Sequence, residues 1–111
     1  MQIQEQRQGA VTVLRPAGPL TAPEIKDFRA TADRAISSNL GRIVLDMAAI
    51  PYLDSAGLEA LVDLTEELAQ SGQSLKLCAS NKTIREVLSL TDLAPLFEQF
   101  EDVGTAIRSF L

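Results

Sequence analysis

The chain has 111 residues, 46% of them apolar, which is the length and composition of one compact domain able to bury a core without metal or disulfide support. Its formal charge is -5 and its ten Lys and Arg are scattered, so the electrostatic footprint of a nucleic-acid binder is missing. Histidine is absent and cysteine occurs once, which removes the commonest general base and any soft-ligand zinc set, so neither a metal nor a cofactor is expected.

There is no cationic leader followed by an apolar stretch and no apolar run of membrane-spanning length, so a cytoplasmic location without membrane insertion is expected. Gln2-Ile3-Gln4-Glu5-Gln6 is polar with one large apolar residue and reads as a short edge strand or a loosely held terminus. The β-branched run Ala10-Val11-Thr12-Val13-Leu14 is a strand, halted by Arg15-Pro16-Ala17-Gly18-Pro19. Thr21-Ala22-Pro23-Glu24 has capping-box spacing, with Thr21 as N-cap and Glu24 reaching back to its amide. The helix it starts carries Ile25, Phe28, Ala32, Ala35 and Ile36 at helical spacing and stops at Asn39-Leu40-Gly41.

Ile43-Val44-Leu45 is a continuous apolar run, as expected of a strand covered on both faces. From Leu58 the positions Leu58, Leu61, Val62, Thr65 and Leu68 follow a 3.6-residue period until Ser71-Gly72. Leu75 to Ala79 is a further strand, in which Cys78 reads as a small core residue. Ser80 or Asn81 caps a third helix carrying Ile84, Val87 and Leu88, which Thr91-Asp92 ends. Leu96-Phe97 enters a last short strand, and Asp102 caps a closing helix with Val103, Ala106, Ile107 and Phe110 inward.

Strands alternating with helices of roughly fourteen to eighteen residues imply crossover units on a mostly parallel sheet. The expected class is α/β, a single domain over 1-111 with a mixed sheet, or α+β on a stricter label if the first hairpin is antiparallel. The loops Pro16 to Ala22, Met47 to Asp54 and Ala79 to Asn81 then leave the carboxyl ends of successive strands, the usual edge for sites in open sheets, and Ser55 sits on that edge.

Chemistry at Ser55 is limited by its surroundings. There is no histidine to act as base, no Ser-x-x-Lys spacing and no Gly-x-Ser-x-Gly elbow, so serine hydrolysis is not indicated. Asp46 and Asp54 flank one loop and would suit either magnesium or simple loop capping, and Gly57 alone does not make a phosphate-cradling loop. Either Asp54 or Ser55 can cap the following helix. If Asp54 does, Ser55 becomes the first helical residue and its hydroxyl is free.

The run Ile43-Val44-Leu45-Asp46, the spacer and then Leu53-Asp54-Ser55-Ala56-Gly57-Leu58 resembles the signature of the STAS domain, the fold of bacterial anti-sigma factor antagonists. The order of elements, the Gly18-Pro19-Leu20 loop and the Phe97 to Phe110 tail are similar as well, so the likeness covers nearly the whole chain. The resemblance implies a non-enzymatic regulator of transcription. Unmodified, it binds a partner that is both anti-sigma factor and serine kinase; phosphorylated at Ser55, it lets go, and a serine phosphatase resets it. Two positions depart from the usual pattern: Ala56 stands where many members have a second serine, and Thr21 where many have aspartate. On this reading Thr21, Asp54, Ser55, Ala56, Gly57, Ser80 and Asn81 form the partner-binding edge, with Gly57 open to an approaching surface. The alternative is a STAS subunit held permanently in a membrane-associated lipid-transport ABC complex, and a third reading is a magnesium enzyme using Asp46 and Asp54.

Overall fold

The computed structural model describes all residues from Met1 to Leu111. Five strands, β1 (Gln2–Gln8), β2 (Val11–Ala17), β3 (Ile43–Asp46), β4 (Leu75–Cys78) and β5 (Phe97–Phe100), form one sheet in sequential order. The β1–β2 hairpin is antiparallel, and β2–β3, β3–β4 and β4–β5 are parallel. This is the single α/β domain with a mixed, mostly parallel sheet that the alternation of elements implies.

The four helices are α1 (Ile25–Ser38), α2 (Ser55–Ala69), α3 (Lys82–Leu90) and α4 (Val103–Arg108). At nine and six residues, α3 and α4 are shorter than the expected crossover helices. One face of the sheet, with Leu14, Ile43, Leu45, Leu75, Leu77 and Phe97, packs against Phe28, Ala32 and Ala35 of α1, Leu61, Leu64 and Leu68 of α2, and Ile84 and Leu88 of α3. The other face, with Val11, Val13, Val44 and Cys78, is covered by Val103, Ala106 and Ile107 of α4 and by Phe110 just after it. Alternation along each strand divides the two sets. No helix is long and apolar enough to cross a membrane.

Two local expectations are corrected. Strand β2 runs through Pro16 rather than halting before it. Its pairing with β3 ends at Leu14, and Pro16 shares the parity of Thr12, whose amide points to the β3 side and donates to Arg42 O, so the missing N–H falls where no ladder partner needs it. The capping box at Thr21 does not form: Thr21 makes no side-chain cap bond, and a 3-10 turn, Ala22–Glu24, precedes α1. Glu24 is drawn instead to the amino group of Met1 at 2.8 Å.

Candidate functional site

Two loops meet because the chain keeps pairing after the strands end. Leu20 and Leu53 form a parallel bridge, Gly18 N donates to Ala49 O at 2.9 Å and Leu20 N to Tyr52 O at 3.1 Å. The loops after β2 and β3 therefore travel side by side to the start of α2.

Asp54 joins them there. Its backbone is extended, at φ -99° and ψ -174°, and its Oδ1 accepts from Gly57 N at 2.9 Å, so Asp54 and not Ser55 is the N-cap of α2. Its Oδ2 accepts from Ala22 N at 3.0 Å, thirty-two residues back in the chain. Those amides, Gly57 first and Ala22 next, hold the Asp54 carboxyl below the usual carboxylate range and keep it charged. Ser55 follows as the first helical residue, exposed, with its hydroxyl not needed for capping.

The third loop is tied in by Asn81. Its Oδ1 accepts from Ile84 N at 2.9 Å, which makes Asn81 rather than Ser80 the cap of α3, while its Nδ2 donates to Pro51 O at 2.9 Å. Thr21, Asp54 and Asn81, on loops linked by hydrogen bonds, and Ser55 and Ala56, in the first turn of α2, thus lie at one end of the sheet.

Two expected contact residues are not on the surface. Gly57 is buried, and a Cβ built on it would stand 2.1 Å from Leu20 O, so the expectation of an open position is corrected: the glycine lets α2 approach its own neighbouring loop. Ser80 is only 7% exposed, and its buried hydroxyl has no hydrogen-bond partner. Tyr52 was not singled out from the sequence, yet it is 52% exposed in the loop leading to Asp54. An aromatic between Pro51 and a cap residue was the available signal, since aromatic side chains in loops that are not drawn into a core are available to a partner.

Asp46 stands apart from Asp54 in its bonding. Its Oδ1 accepts from Ala48 N at 3.0 Å and its Oδ2 lies 3.8 Å from Arg15 Nε, the pattern of a loop-capping carboxylate. Both aspartates spend their oxygens on the protein's own donors, which leaves the magnesium reading without support. Cys78 is buried in the sheet, and burial, with Asp46 and Asp102 nearby, pushes its thiol up to about 12.

The fold recurs among known proteins. The chain is 25% identical over 93 residues to BtrV of Bordetella bronchiseptica, named as an anti-sigma factor antagonist, covering 84% of this chain and 80% of BtrV. A crystal structure titled as an anti-sigma factor antagonist from Thermotoga maritima superposes with a TM-score of 0.88 at 21% identity, over 96% of this chain and 92% of that one. The antagonist SpoIIAA in its unphosphorylated form superposes at 0.78 with 20% identity, over 98% and 96% of the two chains. The phosphorylated form of SpoIIAA, from Bacillus, gives 0.74 at 20% identity, over 99% and 100%. The model of the STAS domain matches residues 2–106, and the chain belongs to the STAS domain family.

Proposed function

We propose that this protein is an anti-sigma factor antagonist that works by partner switching: it binds an anti-sigma factor with serine kinase activity while Ser55 is unmodified and releases it once Ser55 carries phosphate. The observation that carries the reading is the division of labour at the start of α2, where Asp54 takes the cap and leaves Ser55 exposed at the first helical position. The likeness to BtrV supports the antagonist role. Ser55 is the acceptor and not a catalytic residue; the kinase brings the ATP, and a separate serine phosphatase removes the product.

Thr21, Asp54, Ser55, Ala56 and Asn81 form the docking edge, and Tyr52 adds an aromatic anchor to it. Gly57 and Ser80 act from beneath by setting where these loops sit. Phosphorylation adds about -1.5 to -2 charges beside the ionised Asp54. A change from almost wholly bound to almost wholly free needs roughly 5.5 kcal/mol of differential affinity, which charge repulsion in a partly desolvated contact, added to the misfit of a bulky phosphate, is able to supply. The fold itself tolerates the phosphate because it meets the positive end of α2.

The test is incubation with the anti-sigma-factor kinase and ATP, followed by site mapping by mass spectrometry. One phosphate on Ser55, absent in Ser55→Ala, is expected, and Ser55→Ala should hold the kinase whether or not ATP is present. Phosphate on another residue with Ser55 unmodified overturns the reading. Lasting binding by the parent in the presence of ATP, with no phosphate at all, would favour a permanent binding module.

A further inference from the structure

Strand β1 is one of the two edges of the sheet, and its seven residues, Gln2-Ile3-Gln4-Glu5-Gln6-Arg7-Gln8, contain neither proline nor lysine. Unpaired edges of this length are usually blunted by such residues, by a bulge or by a covering element, because their free amides and carbonyls accept another strand. Every residue of β1 except Ile3 is exposed, and neither Glu5 nor Arg7 has an ion-pair partner within its own chain. The only polar contact recorded for the Arg7 side chain is a long one, Nε to Gly9 O at 3.4 Å.

Which backbone groups point outward follows from the pairing already described. Thr12 N donates to Arg42 O on the β3 side, so even positions of β2 face β3 and odd positions face β1. In the register from Gln2↔Ala17 to Gln8↔Val11, the odd positions of β2 oppose the even positions of β1. Gln2, Gln4, Gln6 and Gln8 therefore spend their backbone groups on β2, while Ile3, Glu5 and Arg7 present theirs to solvent.

We infer that this edge pairs with the same edge of a second copy, antiparallel about a two-fold axis at Gln6. Only odd residues carry outward hydrogen-bonding groups, so the central registers place Glu5 opposite Glu5, Glu5 opposite Arg7, or Arg7 opposite Arg7. Two of these oppose like charges directly, which is destabilising, and the third makes two symmetric Glu5–Arg7 pairs. The edge is self-complementary in charge in that register alone. Gln4 then lies opposite Gln8, and Gln6 opposite its own copy. All of these are polar side chains able to bond across the seam.

The two sheets merge into one, and because the axis reverses strand direction, the carboxyl-end loops of the two copies face opposite ways. Ser55 stays open in both, so this pairing does not rest on the phosphorylation reading. Contact through five residues a side is small beside a standard interface of roughly 1,600 Å², and the dimer is accordingly weak and concentration-dependent.

Sedimentation equilibrium of the parent from micromolar to about millimolar concentration, with melting curves to verify folding, reads the association directly. Glu5→Arg and Arg7→Glu should each weaken it about tenfold, since either change turns two cross-strand attractions into repulsions, and the double variant should recover to near the parent. The register has its own test. Gln6 opposite Gln6 is a non-hydrogen-bonded site with Cα atoms about 4.5 Å apart, within disulfide reach, so Gln6→Cys should oxidise to a covalent dimer that keeps its fold. A parent that is monomeric throughout the range, single variants that dimerise as well as the parent, a folded double variant without recovery, or a Gln6→Cys chain that stays monomeric under oxidation would each overturn the inference.

Discussion

The carbonyl oxygen of Leu20 occupies the space that a side chain at Gly57 would need, 2.1 Å from the ideal Cβ position. The contact joins the first turn of α2 to the loop after β2, and the obstacle is backbone, which yields less readily than the end of a flexible side chain.

Gly57→Ala should therefore destabilise the domain although alanine is the better helix former. Propensity alone would give about 1 kcal/mol in favour of alanine, and overpacking costs about 1 to 3 kcal/mol against it. Thermal melting several degrees below the parent is expected, with affinity for the kinase reduced as well because the two loops are forced apart. An unchanged or raised melting temperature contradicts the close approach.

Asp54 makes stability depend on acidity. Its folded carboxyl lies below the usual carboxylate range, because Gly57 N and Ala22 N bond to the charged form. Its contribution is therefore fully present above the unfolded value and is lost as pH falls through the lower folded one. Melting temperature measured from neutral pH down to about pH 2 should drop more steeply in the parent than in Asp54→Asn, which keeps a cap without a titrating charge. Asp54→Ala should melt lowest of the three at neutral pH. Parallel curves for parent and Asp54→Asn would remove the carboxylate from this role.

Asn81 has two jobs that substitution separates. Asn81→Ala removes both the cap on Ile84 and the tether to Pro51, and should cost about 1 to 2 kcal/mol by urea denaturation. Asn81→Asp keeps the cap but brings acceptor oxygens against the carbonyls of Ile50 and Pro51. Its α3 should remain protected in hydrogen exchange while the amide of Ile50 exchanges faster. Equal protection of that amide in parent and variant would show that the tether is dispensable.

Cys78 should behave as a reporter of unfolding. With the thiol pushed up to about 12 and the residue enclosed by the sheet and α4, thiol reagents at pH 8 should label the folded chain only as fast as it opens. Rapid labelling under native conditions would contradict this burial.

Ser55→Asp places a negative charge at the N-terminal end of α2, where helix amides favour it by about 0.3 to 1 kcal/mol. Its melting temperature should equal or slightly exceed that of the parent, while affinity for the kinase falls. Parent-like affinity would refute the electrostatic account of release.

The sequence by itself determined the order of elements, the helical and strand periodicities, and the capping residues Asp102, one of the two candidates at Asp54 and Ser55, and one of the two at Ser80 and Asn81. These are local properties: a cap bonds an amide three residues on, and an apolar stripe is a matter of spacing within one element. Tertiary structure decided what depended on residues distant in the chain. Pro16 stays within β2 because β3 ends early, Glu24 abandons its cap for Met1, and Gly57 is buried because Leu20 lies against it. Asp54 reaches Ala22 across thirty-two residues, and Asn81 reaches Pro51 across thirty. No periodicity encodes such pairs; they exist because the parallel sheet brings three loops to one end, where each buried or half-buried polar group takes the nearest partner that the fold supplies.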